Sequence, residues 1–186
     1  MIDPTAVTDY NRTVSQLEEY LSFCICVAGN NAKSTAKGLQ AFLEYAHQLT
    51  PAIDDWQPFD SMQRFKDADE MRWKLKEFGI GKHENKSKGL YNICNIDLDL
   101  KRASRETLIT YPAIGMKTAT YFILHSRPDI EMACFDRHMC RWFGIDIPKS
   151  VKEYLAQEQK YIKKAKEMGL TCAQLDLKVW NEAQDD

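Results

Sequence analysis

Apolar residues recur at helical spacing along most of this 186-residue chain, which restricts it to a helical fold. Between residues 14 and 28 they fall three and four positions apart, which predicts a buried helix. A second helix is predicted at roughly 32–48, where Ala36, Leu39 and Leu43 share one face. No segment alternates convincingly between apolar and polar residues, as a half-buried strand would. The sequence therefore predicts an all-α fold of about eight to ten short helices.

Small polar residues and glycines mark the expected ends of later helices. Ser61 is expected to cap a helix that runs to about Phe78 and ends at Gly79. The runs Ser150-x-x-Glu153 and Thr171-x-x-Gln174 have the pattern of capping boxes, which predicts helix starts near residues 151 and 172.

The stretch from Leu108 to Phe143 contains a tight turn between two predicted helices. Pro112 fixes its own φ and favours a turn directly after Tyr111, and Gly115 is expected to supply the positive φ of the turn. The next helix is predicted to open near Met116. Free N–H groups at such a turn and helix start form a nest that binds phosphate.

An amine and a carboxylate follow this turn. Lys117 stands two residues after Gly115, and Asp136, at the expected start of another helix, comes nineteen residues later. A lysine amine can act as a nucleophile once it has lost its proton, which burial and the positive end of a helix both favour. A nearby carboxylate would stabilise developing positive charge or help to remove that proton. Asp is also a favoured helix N-cap, and the two roles are compatible.

The run Pro112-Ala113-Ile114-Gly115-x-Lys117, followed by Phe135-Asp136-x-His138, resembles the helix-hairpin-helix (HhH-GPD) superfamily of DNA glycosylases. The resemblance extends over most of residues 15–182. It implies that Lys117 forms a Schiff base with assistance from Asp136, and that residues 112–115 and His138 contact DNA. Ala113 occupies the position of the first hairpin glycine of the family, so the turn is expected to be slightly altered.

The same resemblance implies a domain organisation. The whole chain, 1–186, is expected to form one glycosylase domain of two helical lobes with a cleft between them. Lobe A is expected to comprise about 1–30 and 134–186, and lobe B about 31–133, with the helix-hairpin-helix at about 104–127.

Two further segments are similar to 8-oxoguanine DNA glycosylases. The run from Cys24 to Lys37 contains Asn30 and Asn31, and Asn30 matches the asparagine that enters the space left by a flipped base. The run Leu175-Asp176-Leu177-x-x-Trp180-Asn181 is similar to the tail of the shorter, prokaryotic-type enzymes, whose tryptophan lines the base pocket. Trp180 is therefore a pocket candidate, with Trp56 and Phe59 as weaker ones.

The predicted function is that of a bifunctional DNA glycosylase and AP lyase that excises 8-oxoguanine, opposite cytosine, from double-stranded DNA. One alternative keeps the fold and the chemistry and changes the base to an oxidised pyrimidine or a modified purine. The other alternative is a hairpin module that binds DNA without catalysis. The intact lysine–aspartate pair and the length of the chain argue against that module.

The overall charge of the chain does not favour DNA binding. The net charge is −2 and the isoelectric point is near 6.1, whereas cationic side chains dominate DNA affinity. The distribution is more favourable, because a cluster of cationic residues precedes the hairpin and is expected to form a basic face. Its members are Lys82, Lys86, Lys88, Lys101, Arg102 and Arg105.

The six cysteines show no paired spacing, so reduced thiols in the core are expected. Some relatives, of the endonuclease III type, bind an iron–sulfur cluster through four cysteines after the catalytic aspartate. Only Cys140 and Cys172 follow Asp136, which excludes a cluster of that type. We therefore expect no cofactor, and the sequence leaves open a monovalent or divalent cation at the hairpin.

The composition, 44% hydrophobic and 28% charged, is that of a globular protein. No apolar run approaches the roughly 20 residues that a membrane-spanning helix needs, and no N-terminal signal is evident. A monomer in the cytoplasm, or in a nuclear or organellar compartment, is therefore expected.

Overall fold

A computed structural model describes residues 2–49 and 56–183 of the chain. Within these ranges the regular structure consists of ten α-helices and includes no β-strand, which confirms the predicted all-α fold. The chain divides into two compact units. Unit 1 comprises the described residues of Met1–Val7 and Asn11–Gly115, and unit 2 those of Thr8–Tyr10 and Met116–Asp186.

Unit 1 contains the first six helices. They are α1 Val14–Val27, α2 Ala32–Gln48, α3 Pro58–Met62, α4 Ala68–Glu77, α5 His83–Cys94 and α6 Arg105–Leu108. Helix α1 packs against α2, α3 and α5, and α4 packs along α5. Because its apolar spacing is continuous, α1 is buried over most of its length. Each large apolar side chain that it removes from water contributes about 1.5–3 kcal/mol.

The region between α2 and α4 differs from the prediction of one helix from Ser61 to Phe78. The chain forms two helices here, because Pro58 starts α3 at its first position and Asp67 caps α4 by accepting the N–H groups of Asp69 and Glu70. Ser61 lies inside α3, where its buried hydroxyl accepts a hydrogen bond from the Trp56 indole at 2.8 Å. The stretch 50–55, between α2 and α3, lies outside the described residues.

Unit 2 contains the remaining four helices. They are α7 Met116–Ser126, α8 Arg137–Phe143, α9 Val151–Glu167 and α10 Cys172–Glu182. Helix α10 contacts the other three, and the core between them includes Leu124, Phe135, Tyr161, Leu175 and Val179.

Both predicted helix starts in unit 2 are confirmed, with different caps. Thr171 and Gln174 form a complete capping box at the start of α10. At α9 the Ser150 side chain accepts the Glu153 N–H, but the Glu153 carboxylate accepts the Lys149 N–H instead of that of Ser150.

A short N-terminal segment belongs to unit 2. The Thr8 hydroxyl lies 2.7 Å from Nδ1 of His125, and the Asp9 N–H donates to the His125 carbonyl oxygen at 3.1 Å. The His125 side chain is fully buried, and its Nε2 lies 3.1 Å from Oδ2 of Asp176 in α10. This chain of polar contacts ties residues 8–10 to α7 and α10.

The two lobes expected from the sequence, about 1–30 with 134–186 and about 31–133, stay a prediction. Residues 14–27 pack within unit 1, where the apolar face of α1 is covered by α2, α3 and α5. The assignment of the whole chain to a single glycosylase domain stays a prediction.

All six cysteines are buried and free, as predicted. In the part of the chain that the structure describes, no helix combines the length and the apolar character needed to cross a membrane.

Candidate active site

The turn before α7 contains a left-handed alanine. The Ile114 N–H donates to the Tyr111 carbonyl oxygen at 3.2 Å, so residues 111–114 form a β-turn with Pro112 at its second position. Ala113, the third residue, has φ +62°, the combination typical of a type II turn. Gly115 does not have a positive φ, so the expectation that it supplies one is wrong. The turn keeps its form with alanine at the strained position, at a cost of about 1 kcal/mol.

The hairpin turn is seated on a glycine of α5. A Cβ atom on Gly89 would lie 2.7 Å from the Pro112 carbonyl oxygen and 2.8 Å from Cβ of Ala113. Since real Cβ atoms do not approach other atoms so closely, only glycine at position 89 lets the turn pack at this distance.

The predicted phosphate-binding residues differ in accessibility. Pro112, Ala113 and Gly115 are exposed, whereas the Ile114 side chain is only 3% exposed and its N–H is used inside the turn. The N–H groups of Ala113 and Gly115 form no hydrogen bond with any part of 2–49 or 56–183. Two donors of the expected nest can therefore face a ligand.

Lys117 is the second residue of α7 and is half-buried. Its ammonium nitrogen lies 6.0 Å from the centroid of the Tyr121 ring, one turn further along the same helix. Its carbonyl oxygen accepts a hydrogen bond from the Cys134 thiol at 3.7 Å. The predicted nucleophile thus lies in the first turn of a helix, directly after the hairpin turn.

Asp136 is the N-cap of α8. Its Oδ1 atom accepts the N–H groups of His138 at 2.9 Å and of Met139 at 2.8 Å. Both bonds use one oxygen, so the carboxylate is oriented while Oδ2 makes no hydrogen bond within the described ranges. The capping role is therefore confirmed, and it leaves one oxygen available for chemistry.

Cys134 connects the two candidate catalytic residues. Its thiol donates to the Lys117 carbonyl oxygen, and its own carbonyl oxygen accepts the Asp136 N–H at 3.0 Å. Lys117, Cys134 and Asp136 all belong to unit 2. The predicted pair is therefore joined through one residue within a single compact unit.

His138 follows Asp136 in the first turn of α8. It is half-buried and accepts a hydrogen bond from the Arg137 side chain at 3.4 Å. It also lines a cavity of about 160 Å³ with Arg141, Trp142 and Val179. The lining also includes the acidic side chain of Glu182. The DNA contact expected of His138 stays a prediction.

Asn30 and Asn31 both have structural partners. The Asn30 amide nitrogen donates to the carbonyl oxygens of Cys26 at 3.1 Å and of Gly81 at 3.0 Å, so both of its N–H groups are used. Asn31 is the N-cap of α2 and accepts the Ser34 N–H at 3.0 Å. As placed here, Asn30 can offer an exposed base only its oxygen, and an N–H donor would require the loss of one of these bonds.

The predicted basic face is smaller than expected. Lys86 and Arg105 are buried, and the Lys86 ammonium group donates to the Cys26 carbonyl oxygen. Burial lowers the pKa of Lys86 to about 8. The other members of the cluster, Lys82, Lys88, Lys101 and Arg102, are exposed.

The three predicted pocket aromatics do not lie together in one unit. Trp56 and Phe59 belong to unit 1, where the Trp56 indole bonds Ser61 and the Phe59 side chain is buried. The Phe59 N–H donates to the carboxylate of Glu18 at 2.9 Å, and burial raises the pKa of Glu18 to about 7. Trp180 is half-buried in α10 of unit 2. Residues 184–186, at the end of the segment compared with the prokaryotic-type enzymes, lie outside the described ranges.

Sequence reasoning missed the residues that hold the Asp136 segment. Tyr154 and Glu158 of α9 are buried and bond the backbone of residues 133–135. Their spacing of four residues on one helix face was the available signal. In the described ranges, no cluster of three or more His, Cys, Asp or Glu side chains could hold a metal ion.

No protein-family model matches the chain. Solved structures do. The 8-oxoguanine DNA glycosylase of Methanocaldococcus jannaschii matches with a TM-score of 0.69 and 21% identity, over 97% of this chain and 84% of that one. This chain has the fold of an 8-oxoguanine DNA glycosylase.

Two further structures with this glycosylase fold also match. The M. jannaschii glycosylase/lyase in complex with 15mer DNA containing 8-oxoguanine matches with a TM-score of 0.68 and 21% identity, over 95% of this chain and 84% of that one. The 8-oxoguanine DNA glycosylase of Thermotoga maritima matches with a TM-score of 0.66 and 23% identity, over 90% and 79%. At these identities the likeness shows the glycosylase fold.

Proposed function

We propose that the protein is a base-excision-repair DNA glycosylase with AP lyase activity that removes 8-oxoguanine opposite cytosine. The observation that carries the proposal is the connection of Lys117 and Asp136 through Cys134, directly after a turn with two unused N–H donors. The substrates named for the structural neighbours, 8-oxoguanine and DNA containing it, support the choice of lesion.

In this mechanism the Lys117 amine attacks C1′ of the damaged nucleotide and the base leaves with the bonding electrons. The Asp136 carboxylate stabilises the positive charge that develops on the sugar, or accepts the proton of the amine. The sugar ring then opens at the C1′–O4′ bond, O4′ takes a proton, and C1′ forms an imine with the lysine nitrogen. The imine acidifies the 2′ position, and loss of a 2′ proton expels the 3′ phosphate by cleavage of its bond to C3′. These steps use only the amine and the carboxylate, and a cation at the hairpin would act on phosphate binding alone.

The hairpin would hold the DNA backbone near the lesion without reading sequence, since phosphate contacts position a duplex and base contacts specify it. Extrusion of the nucleotide costs a few kcal/mol of unstacking. Asn30, Asn31 and His138 are proposed to contact the DNA around the extruded nucleotide. Trp180 is proposed to line the base pocket.

Borohydride trapping tests this proposal. The protein is incubated with duplexes that each contain one lesion, and the imine is reduced to a covalent adduct. We expect an adduct with 8-oxoguanine opposite cytosine that is absent in Lys117→Gln. The matched control is Lys163→Gln, which removes an exposed lysine of α9 and should leave trapping unchanged.

Adducts confined to an oxidised pyrimidine or a modified purine would assign a different lesion to the same chemistry. DNA binding without base release or an adduct on any duplex would indicate a passive hairpin module. Trapping that persists in Lys117→Gln would remove Lys117 from the mechanism.

A further inference from the structure

The hydroxyl group of Tyr154 holds the segment that leads to Asp136. This buried side chain of α9 donates to the Ala133 carbonyl oxygen at 2.6 Å and accepts the Phe135 N–H at 3.3 Å. Its ring packs edge-on against Phe135, with centroids 5.1 Å apart. Four residues further along α9, the Glu158 carboxylate accepts the Ala133 N–H at 3.0 Å. Helix α9 therefore satisfies three backbone groups of a segment that has no helical partners of its own.

The same hydroxyl also contacts the helix that carries Lys117. It forms a hydrogen bond with Thr120 of α7, a fully buried residue one turn beyond Lys117. Between these attachments, the Cys134 thiol bonds the Lys117 carbonyl oxygen and the Cys134 carbonyl oxygen bonds the Asp136 N–H. One phenol group is thus bonded both to the lysine helix and to the aspartate segment.

We propose that Tyr154 is a positioning residue that fixes the Asp136 carboxylate relative to the Lys117 amine. This inference rests on the proposed function. Bond formation at C1′ needs reacting atoms about 3–3.5 Å apart and aligned, and a misplacement of about 1 Å can cost a hundredfold in rate. The Tyr154 hydroxyl limits the freedom of the extended segment next to Asp136, because it bonds backbone atoms on both sides of Cys134.

The test substitutes Tyr154→Phe in the full chain, which removes the hydroxyl and keeps the ring. Tyr161→Phe is the matched control. Tyr161 lies on the same helix and is equally buried, but its hydroxyl donates to the Cys172 carbonyl oxygen at 2.8 Å, outside the Asp136 segment. Both variants lose a buried hydroxyl, so both should melt at a lower temperature than the wild type.

The decisive measurements are the single-turnover excision rate at saturating protein and the dissociation constant for the same lesion duplex under non-turnover conditions. We expect Tyr154→Phe to lower the rate about tenfold or more with a dissociation constant within about twofold of wild type. Tyr161→Phe should keep its rate within about twofold. Equal rates in the two variants, or a loss in Tyr154→Phe that appears only in DNA affinity, would overturn the positioning role.

Hydrogen exchange on the free protein separates this inference from the proposed function. Exchange at the amides of residues 135, 136, 138 and 139 should accelerate in Tyr154→Phe and not in Tyr161→Phe. Unchanged exchange would refute the inference even if the wild type excises 8-oxoguanine. If exchange accelerates in Tyr154→Phe but the wild type forms an adduct with no lesion duplex, the proposed function is refuted. The Tyr154 hydroxyl would then hold the segment before Asp136 without a catalytic role.

Discussion

The substitution Asp136→Asn separates the two roles of this residue. As an N-cap, Asp136 uses Oδ1 to accept the N–H groups of His138 and Met139, and an asparagine oxygen can accept both. Only the favourable interaction of a negative charge with the helix N-terminus is lost, which is about 0.3–1 kcal/mol. For a chain of this size the melting temperature should therefore fall by no more than about 2–4 °C.

The expected effect on catalysis is much larger. Asparagine cannot accept a proton from the Lys117 amine and carries no charge to stabilise the sugar, so base release should slow by about a hundredfold to ten-thousandfold. This corresponds to about 3–5 kcal/mol of transition-state stabilisation. The substitution should thus cost several times more in the activation free energy of excision than in the free energy of unfolding.

The assay pairs single-turnover excision on an 8-oxoguanine:cytosine duplex with thermal unfolding of the same samples. Asp136→Ala is the companion variant, because it removes the cap as well and should lower stability by about 1–2 kcal/mol. If Asp136→Asn excised at the wild-type rate while Asp136→Ala unfolded more easily, Asp136 would be a helix cap only and the catalytic argument would fail.

Three further predictions concern stability in unit 1. Burial raises the pKa of Glu18 to about 7, so the wild type should lose up to about 3 kcal/mol of stability as the pH rises from about 4.5 to 7. Glu18→Gln should lack this loss. Urea denaturation at pH 4.5 and 8 measures the free energy of unfolding of both proteins, and a difference between them that is the same at both pH values would contradict the prediction. Ala113→Gly should raise the free energy of unfolding by about 0.5–1 kcal/mol by relieving the left-handed alanine, and an unchanged or lower melting temperature would argue against strain there. Gly89→Ala should lower the free energy of unfolding by about 1–3 kcal/mol, because the added Cβ meets the hairpin turn. An unchanged free energy of unfolding would show that the turn can move.

Helix positions were predictable where local signals agreed with packing. The bounds of α1 and α2 match the expected ranges closely, because apolar periodicity, glycine and asparagine all mark the same ends. The prediction failed at Ser61, whose hydroxyl faces Trp56 instead of capping a helix. A capping residue and a core hydroxyl look identical in sequence, and only the tertiary partner separates them.

In the candidate site, too, the sequence indicates the residues but not their tertiary partners. The motif around the hairpin led to Lys117 and Asp136, and the structure adds the connection between them through Cys134. Two predictions about the site were wrong, because they depended on how the backbone and the side chains pack in the folded chain. The positive φ lies at Ala113 and not at Gly115, and Lys86 is buried although its neighbours in sequence are exposed. Neither fact has a local sequence signal, because each depends on which segment packs against α5.

The contact between Thr8 and His125 has a consequence for the order in which the molecule can assemble. The two residues are separated by 117 positions, and His125 in turn needs Asp176, a further 51 positions along. During synthesis, helices α1–α6 can therefore pack with one another while residues 8–10 still lack their partners. We expect residues 8–10 to be among the last to become protected, so that a protease acting on the growing chain would find them open until α10 has emerged.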